Sequence, residues 1–176
     1  MDVEAVSEIT SAGHEDVGGS EFAWKVHDAL DSWTAKVDTK ASIVLALEIA
    51  LVGFVVTLSG KGGRLSALHG FKVDLSRAGV TILTASVLLS LAVVMPQLGR
   101  REAKRNWSSN MIYFGHLRRW DPDTLAETLA EGAPSLSQLA LQLVTMSKIN
   151  WRKHAWLQWS LLCLVVGTGL LAWAGS

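Results

Sequence analysis

Three long apolar runs constrain this chain more than any other feature of its sequence. They cover residues 41–58, 78–95 and 155–174, and the one charged side chain within them is Glu48. A helix needs roughly 20 apolar residues to cross about 30 Å of hydrocarbon, and each run approaches that length. A water-soluble protein of this size would have too little polar surface to cover three such runs. The sequence therefore predicts three transmembrane helices.

The distribution of basic residues predicts how the chain crosses the membrane. Residues 100–153 hold nine of the 16 Lys and Arg residues, and three more lie between positions 25 and 40. The loop 59–77, between the first two runs, holds the other four. By the positive-inside rule, the amino end and the region 99–153 are cytoplasmic, and the carboxyl end is external.

Apolar residues at helical spacing continue from the spans into residues 21–40 and 99–153. The predicted fold class is therefore an all-α integral membrane protein whose three transmembrane helices carry long cytoplasmic extensions that form a bundle. Residues 1–20 are acidic and contain three glycines, and we predict a mobile tail there. The remaining residues, 21–176, are predicted to form a single helical membrane domain.

The boundaries of several helices are also predicted. The first helix should run from about Glu21 to Leu58, and the second span should continue past Pro96 with a kink. Asp121-Pro122 is typical of a helix start, and that helix should end at Gly132. The segment 135–138, Ser-Leu-Ser-Gln, has the form of a capping box that opens the last helix.

The chain shows no pattern that indicates catalysis. Its five histidines are scattered without metal-ligand spacing, and its single cysteine lies inside the third run. No phosphate-binding glycine loop and no serine or cysteine nucleophile motif is present. The net charge of zero indicates no partner by itself. We expect no enzyme activity, no metal, no cofactor and no nucleic-acid partner.

Three short segments resemble motifs of the Pycsar transmembrane effector family. Asp38-Thr39-Lys40-Ala41-Ser42, before the first run, resembles the family's D-x-K-A signature. The segment 112–116, Ile-Tyr-Phe-Gly-His, resembles its aromatic-aromatic-Gly motif, which is often followed by an acid where this chain has His116. The segment 148–153 resembles its basic stretch before the last span. The order of these pieces agrees over about residues 22–173.

The resemblance implies a bacterial anti-phage effector in the inner membrane. A companion cyclase would make a cyclic pyrimidine mononucleotide, cCMP or cUMP, and the effector would respond by impairing the integrity of the membrane. The implied partners are the nucleotide, the lipid bilayer and further copies of the chain, because three helices do not enclose a water path. Two other classes stay open, namely a small channel or transport subunit without nucleotide control, and a membrane anchor or scaffold for a cytoplasmic partner.

A cyclic nucleotide needs a cation for its phosphate and a flat surface for its base. The alternative is that the basic residues fix topology and contact anionic lipid, while the aromatic residues belong to the core. The candidate ligand residues are the cations and aromatics of the cytoplasmic region, with the two charged residues of the signature: Asp38, Lys40, Arg100, Arg101, Lys104, Arg105, Trp107, Tyr113, Phe114, Arg118, Arg119, Lys148, Arg152 and Lys153.

Two further polar features concern the membrane. Asp38 and Lys40 are either an ion-paired joint that a ligand could reset or an interfacial anchor pair. An ionised Glu48 within a span is costly and indicates either a bundle interior or a water-filled path. In one interpretation Glu48 lines the pore of an oligomer. In the other it is protonated and hydrogen-bonded to a hydroxyl of the second span, the candidates being Thr81, Thr84, Ser86 and Ser90.

Overall fold

The structure is a computed structural model that describes residues 3–60, 62, 63, 65, 68–96, 112, 114–130 and 135–176, with side chains from residue 18 onward except that of Phe114. These residues contain no strand and form helices α1 (Val3–Ser59), α2 (Phe71–Val94), α3 (Phe114–Leu117), α4 (Pro122–Ala130) and α5 (Leu136–Gly175). Helices α1, α2 and α5 are long and apolar enough to cross a membrane. The predicted all-α membrane fold is confirmed.

Helix α1 is longer than the sequence predicted. It begins at Val3 instead of about Glu21, and its 57 residues make it roughly 85 Å long. No proline lies in this stretch. A glycine within a helix costs only about 1 kcal/mol relative to alanine, so the glycines near the amino end weaken the helix without ending it. The backbone of residues 3–20 is thus helical, and the mobility expected of the acidic tail 1–20 stays a prediction.

Helix α2 is shorter than predicted at its carboxyl end. It ends at Val94, and Met95 has an extended backbone with φ −61° and ψ 133°. The ring of a proline disfavours helical geometry in the residue before it, so Pro96 ends this helix instead of kinking it. The predicted continuation falls on residues 97–111, which lie outside the described part of the chain.

The starts of the last two helices are as predicted. Asp121 Oδ1 accepts hydrogen bonds from the backbone N–H groups of Asp123 (3.1 Å) and Thr124 (3.3 Å), so Asp121 is the N-cap of α4. Ser135 Oγ accepts from the backbone N–H of Gln138 at 3.4 Å and caps α5. The return bond of a capping box is not made by Gln138 Oε1, which is buried without a hydrogen-bond partner among the described residues. The predicted end of α4 at Gly132 lies outside the described residues.

The chain divides into two compact units, and the single helical domain expected over residues 21–176 stays a prediction. The membrane unit comprises residues 34–96 and 151–176, and the polar unit comprises residues 1–33 and 97–150. In the described part of the polar unit, the most buried side chains are apolar ones from α1 and α5 together with three polar ones: Ala23, Leu30, Leu139, His116, Gln142 and Asn150.

Within the membrane unit, α1 and α5 run parallel and α2 runs antiparallel to both. Val37 and Ala41 of α1 form one buried cluster with Val93 of α2 and Leu157 of α5. The buried positions of α2 recur at steps of three and four residues, and those of α1 and α5 at steps of three, four and seven, as in coiled-coil packing. The opposite faces of these helices expose large apolar side chains, which suits lipid.

Helices α2 and α5 approach each other most closely at two glycines. A Cβ atom added to Gly79 would lie 2.8 Å from Leu171 Cγ and 3.1 Å from the Gly167 carbonyl oxygen. A Cβ on Gly167 would lie 3.0 Å from the Leu83 backbone nitrogen. Small residues allow helix backbones to approach closely in membranes, and the Gly79–Gly167 crossing is such a contact.

Candidate functional site

Four polar residues from all three helices meet in the interior of the membrane unit. Glu48 of α1, Ser86 and Ser90 of α2, and Ser160 of α5 each have 0% of their surface exposed. We call these four residues the Glu48 cluster. Because each helix contributes at least one of them, the cluster ties the three helices together.

The Glu48 cluster is connected by hydrogen bonds. Ser160 Oγ donates to Glu48 Oε1 at 2.9 Å. Ser86 Oγ contacts the same carboxyl oxygen and also lies 2.7 Å from the Ser160 carbonyl oxygen. The hydroxyls of Ser90 and Ser160 are 2.7 Å apart. The other carboxyl oxygen, Glu48 Oε2, is buried and has no hydrogen-bond partner in the described part of the chain.

The predicted partners of Glu48 are partly those observed. Ser86 binds it directly, and Ser90 reaches it through Ser160. Thr81 and Thr84 do not, since their hydroxyls donate to the Arg77 and Val80 carbonyl oxygens of their own helix, at 2.9 Å each. Sequence reasoning missed Ser160, although it is a polar residue on the inward three- and four-residue repeat of α5.

A partly buried ion pair lies at the end of the membrane unit nearest the start of its α1 segment. Lys153 Nζ donates to both carboxylate oxygens of Asp38, at 2.6 and 2.8 Å. The Lys153 side chain is 6% exposed and that of Asp38 is 37% exposed. The predicted pairing of Asp38 with Lys40 is corrected, because side chains two residues apart on a helix do not face each other, and Lys40 is exposed.

Comparison with known proteins decides the family. The Pycsar effector protein domain matches residues 22–176, which is most of the chain. The chain belongs to the Pycsar effector family. It is therefore a membrane effector of anti-phage defence, and its family implies a cyclic nucleotide signal from a cyclase as well as a lipid membrane. Neither the curated proteins nor the solved structures gave a match.

The matched residues of this Pycsar effector include the whole Glu48 cluster and the Asp38–Lys153 pair. The family predicted from the three short segments is thereby confirmed. Two of those segments meet in the structure, because Asp38 belongs to the signature before the first span and Lys153 to the basic stretch before the last. The ion pair thus joins two of the motifs by which the family was recognised.

The remaining candidate ligand residues of the effector are divided between the two units. Arg118 and Lys148, both exposed, and Arg119, half-buried, belong to the polar unit. Arg152 belongs to the membrane unit, and its guanidinium lies 5.3 Å from the centroid of the Trp156 ring, a cation–π contact. The others lie outside the described residues, or have only their backbone described: Arg100, Arg101, Lys104, Arg105, Trp107, Tyr113 and Phe114.

The polar unit of the effector has a more polar interior than the sequence indicated. His116, Gln142 and Asn150 are at most 9% exposed. The Trp24 and His27 rings of α1 make an edge contact with their centroids 5.4 Å apart. Sequence reasoning assigned none of these residues to a site, because none of them carries a permanent charge. The helical periodicity of α5 placed Asn150 on its apolar face, but Gln142 was missed. They add uncharged hydrogen-bonding groups to a region already rich in cations.

An apolar cavity of about 310 Å³ lies between α1 and α5 at the other end of the membrane unit. Leu51, Phe54 and Leu58 line one side, and Leu171 and Ala172 line the other. A lining of this kind offers nothing to compensate the loss of hydration of a phosphate. The cavity is therefore not a candidate for the nucleotide.

Proposed function

We propose that a cyclic pyrimidine mononucleotide, cCMP or cUMP, activates this effector, and that several copies then open a polar path through the bacterial inner membrane. The observation that carries the proposal is the Glu48 cluster. Its four polar side chains lie between three helices whose outer faces are apolar. In the resting unit this polar material is sealed. When copies of the unit rearrange together, the same side chains can line a path for ions.

The cost of exposing Glu48 to lipid favours such an assembly. An acidic side chain near the middle of a bilayer costs at least about 2.5 kcal/mol when it lacks partners. A rearranged unit must therefore place Glu48 against water or against other polar groups. Since three helices do not enclose water, the polar groups of neighbouring copies supply that environment.

The Asp38–Lys153 pair holds α1 and α5 in register. Both oxygens of Asp38 bind a lysine whose side chain is almost fully buried. Removing one partner of a buried pair leaves a charge uncompensated, which makes the contact sensitive to any shift between the two helices. In this proposal the pair is a positioning contact that opposes activation until the nucleotide is bound.

The nucleotide phosphate is assigned to cations of the polar unit. Arg118 is exposed on the segment that follows α3, and Lys148 is exposed on α5. Hydrogen bonds from such cations to a phosphate are among the stronger ones in proteins. By the positive-inside rule, these residues lie on the cytoplasmic side, where a cyclase would release its product. Binding is followed by rearrangement, and no covalent step is part of the proposal.

The direct test uses the purified full chain in liposomes loaded with a fluorescent dye. Addition of cCMP or cUMP should release the dye, whereas cAMP should not. Release without any nucleotide would indicate a channel that lacks nucleotide control. Absence of both release and nucleotide binding would contradict the proposal and favour a scaffold for a protein partner.

A charge reversal tests the assigned phosphate contact. Arg118→Glu should weaken nucleotide affinity, measured by calorimetry, by about tenfold or more, because one charge-assisted hydrogen bond contributes roughly 1.5–3 kcal/mol. The matched control is Lys72→Glu, an equal charge change at an exposed residue of the membrane unit. Equal affinity for both variants would remove Arg118 from the site.

A further inference from the structure

We infer that the Glu48 cluster binds one monovalent cation, a proton or Na⁺, in the core of the membrane unit. The inference does not rest on the proposed function, since it concerns the chain without nucleotide. It follows from a charge that has no partner, from a count of hydrogen atoms, and from the chemistry of the oxygen atoms that surround the site.

The first observation concerns charge. Glu48 is fully buried within a span, where a bare carboxylate is costly. The buried cation of this unit, Lys153, is occupied by both oxygens of Asp38, and ten residues of helix, about 15 Å, separate Asp38 from Glu48.

Among the described residues of the unit, no other charged group stands at the level of Glu48. The sequence has no acidic or basic residue in 78–95 of α2 or in 155–174 of α5. The nearest titratable side chain along α5 is the half-buried thiol of Cys163, three residues after Ser160. The charged residues of α2, namely Lys72, Asp74 and Arg77, all precede the Gly79 crossing and are exposed. A positive charge for Glu48 must therefore come from outside the described chain.

The second observation is the number of hydrogen atoms available. The Ser86 hydroxyl has one proton but lies within hydrogen-bond distance of two acceptors, Glu48 Oε1 and the Ser160 carbonyl oxygen. The carbonyl carries no proton, so a single hydrogen atom must serve both contacts when the carboxyl group carries none. A proton on the carboxyl group gives each contact its own hydrogen atom, whereas a Na⁺ ion would have to bind on the side of Glu48 Oε2, because oxygen atoms at hydrogen-bond distance leave no room for an ion between them. The buried, unpartnered Glu48 Oε2 provides a further free ligand position.

The third observation is the type of ligand atom. The cluster offers a carboxyl group, three hydroxyls and one backbone carbonyl, which are all oxygen ligands. Oxygen ligands suit hard cations, whereas zinc and copper favour nitrogen and sulfur. A divalent ion would leave one positive charge uncompensated in hydrocarbon. A single proton or Na⁺ exactly balances the one carboxylate, so the chemistry of the site selects a monovalent ion.

The test compares wild-type protein with Glu48→Gln, purified as the full chain in detergent without nucleotide. Glutamine has the shape of a neutral glutamic acid and needs no cation. For a bound proton, the ratio of folded to unfolded wild-type protein should fall by up to about tenfold per pH unit as pH rises, because the folded unit holds a proton that the unfolded chain releases. For bound Na⁺, thermal stability should rise in NaCl relative to choline chloride at equal ionic strength.

Glu48→Gln should lose whichever dependence the wild type shows, whereas the matched control Asp74→Asn, at an exposed acid of the same unit, should keep it. Wild-type stability that responds to neither pH nor Na⁺ would overturn the inference. So would a response that Glu48→Gln retains in full.

Infrared spectroscopy of wild-type protein with isotopically labelled glutamate decides the matter even if Glu48→Gln does not fold. A carbonyl band of a protonated acid, shielded from exchange with heavy water, supports the proton. A carboxylate band that shifts when Na⁺ replaces choline supports the sodium ion. A spectrum without the acid band, and with carboxylate bands indifferent to Na⁺, would show a bare carboxylate and overturn the inference.

Discussion

The two polar sites inside the membrane unit, one fully and one partly buried, differ in how their charge is balanced. The Asp38–Lys153 pair contains both signs of charge, joins two helices, and retains some contact with solvent through Asp38. The Glu48 cluster contains one acid and three serines, joins three helices, and is fully buried. The pair is thus a local contact between α1 and α5, whereas the cluster depends on the packing of the whole unit. Variants that disturb the packing of α2 should therefore affect the Glu48 cluster and leave the Asp38–Lys153 pair intact.

The largest effect is expected from Gly167→Val. A side chain at this position would press against the backbone of α2 at Leu83 and Gly79, which cannot move aside as a flexible side chain would. We expect a loss of about 3 kcal/mol in unfolding free energy, measured by denaturant titration in detergent. The Asp38–Lys153 pair should survive in this variant, because α2 takes no part in it.

Gly169→Val is the control for this experiment. A Cβ atom on Gly169 would meet nothing within 4 Å, and the residue is exposed. The control should therefore change stability by much less than Gly167→Val. Equal losses would show that helix propensity, and not the Gly79–Gly167 crossing, accounts for the effect.

An intermediate loss of unfolding free energy is expected from substitutions at the ion pair, and the loss should differ between its two residues. Asp38→Asn leaves the ammonium group of Lys153 buried without its counter-charge and should cost about 2–3 kcal/mol. Lys153→Met leaves the Asp38 carboxylate, which water can reach, and should lower the unfolding free energy by about 1 kcal/mol. Unfolding of both single variants and the double variant, arranged as a double-mutant cycle, measures the difference. Equal costs for the two single changes would contradict the burial of Lys153.

The smallest effect is expected from Ser90→Ala. Its hydroxyl contacts the cluster through Ser160, and interhelical hydrogen bonds in membranes contribute on average about 0.6 kcal/mol. Thr84→Ala is the control, because that hydroxyl donates to its own helix. A loss above about 2 kcal/mol for Ser90→Ala alone would show that the serines form a more cooperative network than separate contacts imply.

The sequence predicted those features that depend on neighbouring residues. The length of the apolar runs gave the three spans, and the side chains of Asp121 and Ser135 gave the starts of two helices. Contacts across helices were harder to predict. Lys153 and Ser160 lie more than 100 positions from Asp38 and Glu48, and only the packing of α1 against α5 brings them together. The end of α2 at Val94 could have been predicted, because proline disfavours helix in the residue before it.

Helices α1 and α5 continue without interruption past the boundaries of the membrane unit, at residues 33–34 and 150–151, whereas α2 ends at Val94. Within the membrane unit each of these two segments is one unbroken helix, so a rotation about the helix axis turns all of its side chains together. Rotating α1 by the angle between successive residues, about 100°, would turn Glu48 away from all three serines at once.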